Sequence, residues 1–146
     1  MTLPKLVGIN HVALEVGDIE EALTFYSSIF QFELRGKTDT MAFIDMGDQF
    51  LALSESDGTS EDNHRHFGLV VDDKDRVRKN LEQNQVAILS GPFLDFKDPW
   101  GNRIQVVDYR DIQFTKTRKV LKAMGLDELK KSEKALQELR DKKMID

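Results

Sequence analysis

Residues 96–109 read FKDPWGNRIQVVDY, a tight turn followed by a short strand. Pro99 suits the second position of such a turn. In the strand, Ile104 and Val106 point to one side and Gln105 to the other, because successive side chains of a strand alternate between faces. An amide that faces away from the apolar side of a short strand raises the question of whether it serves a site.

The chain contains two copies of one pattern, offset by 55 residues. HVALEVGDIEEALTFYSSIFQFEL begins at His11, and HFGLVVDDKDRVRKNLEQNQVAIL begins at His66. Each copy is typical of an alternating strand, a capped helix and three further strands. A long period that occurs twice indicates a duplicated supersecondary unit, not a solenoid. The sequence therefore predicts an α+β fold of paired βαβββ modules, at about residues 6–56 and 64–109.

Strand parity gives each predicted strand a packed face and an open face. His11, His66 and Gln105 fall on the open faces, away from the helices. If the modules pair pseudo-symmetrically, these faces form a curved mixed sheet around a cleft, where two imidazoles and an amide oxygen converge. Such donors suit Ni, Zn, Mn or Fe and leave positions for water or substrate. The alternative is that each histidine is a hydrogen-bonded structural residue at a strand end.

The opening segment NHVALEVGDIEEALTFYSSIFQFEL resembles the βαβββ module of the vicinal oxygen chelate superfamily. That family includes glyoxalase I, fosfomycin-resistance proteins, bleomycin-binding proteins and extradiol dioxygenases. HFGLVVDD and FKDPWGNRIQVVDY resemble its second module and its closing signature, and the likeness covers roughly residues 6–109. The resemblance implies metal ligands at His11 and His66 and places Gln105 where the family presents a closing Glu. The remaining family position falls on Ala52, which cannot bind a metal.

The resemblance implies a divalent-metal-dependent enzyme acting on a small oxygen-bearing substrate by lyase or isomerase chemistry, thiol transfer or dioxygenation. Both Glu positions of the family are replaced, and proton abstraction beside a carbonyl needs a base. Classical glyoxalase I activity is therefore not favoured, and no catalytic residue is assigned. The alternatives are a metal-free, drug-sequestering binding protein of the same fold and an interaction protein with a vestigial cleft.

Three further residues are candidates for contact with the substrate. Phe50 shares the open-face parity, Trp100 sits in a turn outside any packed strand, and His64 has the parity of His66. The alternatives are that Trp100 covers a sheet edge or a partner copy, and that His64 is a solvent-facing linker residue. The known relatives imply a homodimer.

The composition narrows the functional classes. The 146 residues include no cysteine, which excludes disulfides and thiol nucleophiles. No apolar run is long enough to cross a bilayer, and the N-terminal MTLPKLVGIN has no features of a secretory signal. The net charge of −5 disfavours nucleic-acid binding. A cytoplasmic location, without membrane or nucleic-acid partners, is therefore expected.

The C-terminal extension, residues 110–146, lies outside the resemblance to the domain at 1–109. It holds 11 Lys and Arg against 7 Asp and Glu, whereas the domain holds 10 against 19. The pattern predicts helices over 115–124 and 127–143, with Ser132 as a cap inside the second. A short, highly charged helix is unstable alone. The extension should therefore dock on the acidic body of its own chain or of a partner copy.

Overall fold

A computed structural model describes residue 9 and residues 11–58 and 60–146. Two expectations fall on residues outside this part of the chain. They are the absence of a secretory signal in residues 1–10, of which only Ile9 is described, and the start of the first module near residue 6. The elements, in chain order, are β1 His11–Val16, α1 Ile19–Ser27, β2 Leu34–Lys37, β3 Met41–Asp45, β4 Phe50–Glu55, β5 Phe67–Val71, α2 Lys74–Gln83, β6 Leu94–Lys97, β7 Arg103–Asp108, a 3₁₀ turn Tyr109–Asp111, α3 Arg118–Ala123 and α4 Glu133–Asp141.

The structure confirms the α+β class, with the strands in two open mixed sheets. Sheet A has the order β1-β4-β3-β2, and sheet B has the order β5-β7-β6. In each sheet the first strand of the module pairs in parallel with the last, β1 with β4 and β5 with β7. The first of the three strands predicted after the second helix, VAILSG at residues 86–91, is reduced to one isolated bridge between Ile88 and Phe96.

Local signals fix where the first helix of each module begins. The Asp18 carboxylate accepts a hydrogen bond from Glu21 N at 2.8 Å, and the Asp73 carboxylate accepts one from Arg76 N at 3.1 Å. These side chains satisfy backbone donors that have no partner inside the helix. Both helices therefore start where the sequence predicts, immediately after the first strand of their module.

One hydrophobic core joins the two modules. Most residues whose strand parity faces the helices are buried, among them Leu14, Val16, Leu51, Leu53, Leu69, Ile104 and Val106, whereas Val12, Phe67 and Val71 on the same faces are half-buried. Phe25 and Phe30 project from the α1 region onto Phe96, with ring centroids 6.2 Å and 6.1 Å apart. Because Phe96 lies on β6, the far edge of sheet B, α1 packs between the two sheets. The open faces of sheets A and B are therefore turned away from each other within one chain.

The DPWGN turn fastens the second module to the first. Asp98 is 4 % exposed and accepts hydrogen bonds from Trp100 N, from Asn102 N and Nδ2, and from the Tyr26 hydroxyl at 2.9 Å. Asn102 Nδ2 also donates to Glu15 O at 2.7 Å. The turn therefore shapes β7 and ties it to both β1 and α1.

Burial and the neighbouring Asp98 carboxylate raise the pKa of Tyr26 well above its ordinary 10.0. The unfolded chain ionises this tyrosine near pH 10, whereas the folded chain keeps it protonated. Its contribution to stability is therefore complete below about pH 10.0 and is lost above it. We expect Tyr26→Phe to lose less unfolding free energy than the wild type between pH 9 and 11 in urea titrations. Parallel pH profiles for the two chains would contradict this assignment.

The extension docks on its own chain. Ser132 caps α4 through a hydrogen bond to Ala135 N, and Ala135 and Leu139 are buried. Lys131 Nζ donates to Tyr109 O and Ile112 O, and it lies 3.8 Å from the centroid of the Tyr109 ring. Burial lowers the pKa of Lys131. These contacts hold α4 against the end of β7.

Both predicted helices of the extension are shorter in the structure. The first spans Arg118–Ala123 and ends before Gly125, whose φ of +75° favours glycine. The second begins only at Glu133, after the Ser132 cap, so the predicted helical start at 127 is wrong.

The segment before α3 reaches the first module. Lys116 Nζ forms an ion pair with Asp48 and has a pKa lowered by burial. A Cβ added at Gly47 would meet Met124 Sδ at 2.7 Å, so α3 packs closely on the β3–β4 turn.

Candidate metal and substrate site

Two of the expected ligands belong to the second module, Gln105 on a strand of sheet B and His66 just before one. Gln105 is on β7, with Gly68 of β5 as its register partner. His66 immediately precedes β5 and has the same parity as Gly68. His66 therefore stands two positions before the register partner of Gln105 on the neighbouring parallel strand. Since Gly68 has no side chain, the surface between them is left open.

A backbone contact holds one ring nitrogen of His66. His66 Nδ1 lies 2.8 Å from His64 O. A carbonyl oxygen can only accept, so Nδ1 is the donor in this contact, and Nε2 is the ring nitrogen that the contact does not use. Histidines that bind metals commonly have their other nitrogen held by a carbonyl or carboxylate in this way.

His11 lies on the open face of sheet A. Its ring stacks on Phe50, the register partner on β4, with centroids 4.6 Å apart and planes 9° apart. The Phe50 ring also contacts Phe43, and the Arg35 guanidinium lies 4.7 Å from its centroid. Phe50 therefore holds the imidazole plane, and its contact with a substrate stays a prediction.

The three expected ligands are divided between the two sheets. His11 belongs to sheet A, whereas His66 and Gln105 belong to sheet B, and the open faces of the two sheets are turned apart. Within residues 9, 11–58 and 60–146, no three His, Cys, Asp or Glu residues form a group able to hold a metal ion. That search does not count glutamine, so a metal site formed by His11, His66 and Gln105 stays a prediction.

The other two substrate candidates occupy different surroundings. Trp100 packs on the core and over Gly17, where an added Cβ would lie 2.2 Å from the indole Nε1. His64 is exposed and touches the site through its backbone carbonyl. Neither position tests a role in substrate binding, so both stay predictions.

Two aspartates lie on the open faces: sequence reasoning overlooked Asp95, and it wrongly placed Asp45 on the other face of its strand. Asp45 pairs with Phe50 across β3 and β4 and forms an ion pair with Arg35 at 3.3 Å. Asp95 pairs with Gln105 across β6 and β7 and is 5 % exposed. The alternation of MAFID and LDFK would have placed both carboxylates on these faces.

Glu55 has a structural role. Its Oε1 accepts from Ile19 N at 3.0 Å, at the start of α1. The carboxylate is thus engaged on the helix side of the sheet.

The residues present fit a divalent ion. His66 offers Nε2, Gln105 offers an amide oxygen on the same face, and His11 is an imidazole fixed by stacking on an open face. Imidazole and oxygen donors together suit first-row divalent metals, and three protein ligands leave exchangeable positions. The set carries no negative charge, so an ion held by it would keep its full formal charge.

No helix within the described part of the chain is both long and apolar enough to cross a membrane.

The sequence model of the Glyoxalase/Bleomycin resistance protein/Dioxygenase superfamily matches residues 8–106. Among characterised relatives, the "Metallothiol transferase FosB" of Lysinibacillus sphaericus (strain C3-41) is 31 % identical over 111 residues, covering 66 % of this chain and 79 % of the relative. The "Glutathione transferase FosA" of Serratia marcescens is 26 % identical over 113 residues, covering 69 % of this chain and 80 % of the relative.

Solved structures share the fold at lower identity. FosX, a fosfomycin resistance protein of Listeria monocytogenes crystallised with Mn(II) and sulfate, superposes with a TM-score of 0.60 at 17 % identity. The match covers 70 % of this chain and 92 % of FosX. A lactoylglutathione lyase of Agrobacterium tumefaciens superposes with a TM-score of 0.60 at 22 % identity, covering 72 % of this chain and 96 % of the lyase.

Proposed function

Because the chain belongs to the glyoxalase/bleomycin resistance protein/dioxygenase superfamily, we propose that it is a divalent-metal-dependent enzyme that transfers a thiol to a small oxygen-bearing substrate. The names of the characterised relatives, metallothiol transferase and glutathione transferase, support thiol transfer over the lyase and dioxygenase alternatives. The proposed ligands are His11, His66 and Gln105. Phe50, Trp100 and His64 are the proposed substrate contacts.

The observation that carries the proposal is the backbone contact of His66. Its Nδ1 lies 2.8 Å from the His64 carbonyl oxygen, and it stands two residues before Gly68, the register partner of Gln105. The arrangement is the one expected for a ligand whose second nitrogen is fixed.

A bound divalent ion would polarise a substrate oxygen as a Lewis acid. The chain's own residues would supply the orientation: Gln105 and His66 from one wall, and His11, held by Phe50, from the other. No carboxylate stands at Ala52 or Gln105 to remove a proton from carbon. In thiol addition the sulfur bonds to an electrophilic carbon as the C–O bond of that carbon breaks, and the thiol proton passes to the released oxygen. No base that acts on carbon is needed, which favours this reaction over glyoxalase I chemistry.

We further propose that the active form is a homodimer. Since the open faces of one chain are turned apart, sheet A of one copy would meet sheet B of the other and bring His11 to His66 and Gln105. A two-fold axis would create two such sites at once. The dimer would be a cytoplasmic protein, with residues 1–109 as the domain that carries the fold and residues 110–146 as its helical extension.

A specific feature keeps the metal-free binding protein as the second candidate. The three proposed ligands are neutral, and the stacked His11–Phe50 pair offers a flat aromatic surface on which an apolar ligand can lie. A drug-sequestering function needs no ion. Metal content separates this candidate from the enzyme.

We expect protein purified without an affinity tag to contain one divalent ion for each chain. With Mn(II) restored after chelation, it should consume glutathione in the presence of fosfomycin, the compound for which FosX is named. The loss of free thiol measures the reaction, and chelated protein is the control. A chain that contains no ion and binds none when Mn(II) is added would instead be the binding protein.

A further inference from the structure

Asp95 is a buried carboxylate, and removing a charged group from water costs free energy. It lies on the open face of sheet B, because its neighbours Leu94 and Phe96 point into the core. It is nevertheless only 5 % exposed. A buried acid normally has a partner for each oxygen, since an unsatisfied oxygen forfeits its hydration.

Only one of its oxygens is satisfied. Arg103 Nε and Nη2 both donate to Asp95 Oδ2, at 3.0 Å and 2.8 Å. Asp95 Oδ1 has no partner, and it is the one buried side-chain nitrogen or oxygen atom in the described part of the chain in that state. The guanidinium therefore fixes the carboxylate and leaves its second oxygen directed elsewhere.

A candidate partner is the residue across the strand pair. Asp95 and Gln105 are direct register partners in the antiparallel β6–β7 ladder. Directly opposed residues share a face, with Cβ atoms about 4.5–5.5 Å apart. A half-buried glutamine at this distance can place its Nε2 on Oδ1 by a change of rotamer, because the side chain has three free torsions.

We propose that Asp95 is the positioning residue for Gln105: Asp95 Oδ1 accepts a hydrogen bond from Gln105 Nε2 and thereby turns Gln105 Oε1 toward the open face. This inference rests on the proposed function, in which Oε1 is a metal ligand. It also accounts for the amide. A carboxylate at position 105 would place a second negative charge opposite Asp95, with only the Arg103 guanidinium to neutralise the two. An amide adds no charge and supplies the donor that Asp95 Oδ1 lacks.

Two readouts separate this inference from the function on which it rests. The first is the melting temperature of metal-free protein for Asp95→Asn, Gln105→Glu and the double variant. Gln105→Glu should lower the melting temperature by roughly 4 °C. The same substitution combined with Asp95→Asn should recover most of that loss, because the opposed carboxylate is gone. The matched control is Glu61→Gln combined with Gln105→Glu. It removes the charge that pairs with Lys97 of sheet B, away from position 105, and should not recover the lost melting temperature.

The second readout is Mn(II) affinity by calorimetry. Asp95→Asn should weaken it by about tenfold, the effect of losing an outer partner of a ligand, and Glu61→Gln should not. A wild type that binds no metal overturns the proposed function, while the melting temperatures still decide the inference. An equal loss from Gln105→Glu in both backgrounds overturns the inference, whatever the metal result.

The Gln105 side-chain amide protons give a measurement that needs no stable Asp95 variant. They can be assigned by NMR from the signals that disappear in Gln105→Glu. In the wild type they should exchange slowly with solvent and lie downfield of free glutamine amides. Rapid exchange at random-coil positions would overturn the hydrogen bond.

Discussion

Replacing Asp98 with alanine is expected to lower the free energy of unfolding by about 4 kcal/mol, because four donors lose one buried acceptor group. Two of them are backbone nitrogens of the DPWGN turn, one is the Asn102 amide and one is the Tyr26 hydroxyl. The variant removes the link between the modules as well as the shape of the turn before β7. Such a loss is a large part of the total stability of a domain of this size.

Urea unfolding followed by circular dichroism measures this effect. Asp73→Ala is the matched control, since Asp73 is an exposed aspartate that caps α2 through its bond to Arg76 N. Losing a cap of this kind costs about 1 kcal/mol. An Asp98→Ala variant no less stable than the control would show that the turn does not hold the modules together.

Replacing His66 with alanine is expected to reduce Mn(II) affinity by more than about a hundredfold. Loss of an outer partner of a ligand alone costs tenfold to a hundredfold, and loss of the ligand itself costs more. The fold should be unaffected, because His66 is exposed and its hydrogen bond to His64 O precedes β5. Calorimetric titration of chelated protein measures the affinity.

His64→Ala is the control for this experiment. It removes an exposed imidazole two residues away but keeps the backbone carbonyl that holds His66. Its Mn(II) affinity should equal that of the wild type. A similar loss in both variants would mean that the linker binds the metal nonspecifically and that His66 has no special role.

Much of the fold could be predicted from local sequence. Asp18 and Asp73 precede apolar helical stripes, so the caps and helix starts follow from hydrogen bonding within a few residues. The packed faces of β1, β4, β5 and β7 follow from parity, which depends only on the two-residue period of a strand. The helices of the extension were predicted less accurately. The Ser132 cap and the contacts of Lys131 with carbonyls near Tyr109 delay the start of the helix that the sequence predicts from residue 127.

The site was less accessible to sequence reasoning. Parity correctly places His66 and Gln105 on one face, but the relation between the two sheets depends on which long-range surfaces α1 contacts. Phe25 and Phe96, which are in contact, lie 71 positions apart in the chain. No local sequence signal predicts such a contact. Asp95 was overlooked because its burial comes from Arg103 and the folded chain around it, not from its own segment.

Mixing two inactive variants tests the shared site most directly. His11→Ala damages only the sheet A wall and His66→Ala only the sheet B wall. The two chains, coexpressed with different tags that contain no histidine, yield mixed dimers that can be isolated by sequential purification. If each site combines walls from two chains, a mixed dimer has one intact site and one doubly damaged site.

The account predicts one Mn(II) ion for each mixed dimer, while dimers of either variant alone bind none with comparable affinity. The metal content of the isolated dimers, measured after removal of free ion, gives the answer. Mixed dimers without the ion, or a wild-type protein that is monomeric when it binds Mn(II), would contradict a site shared between two copies.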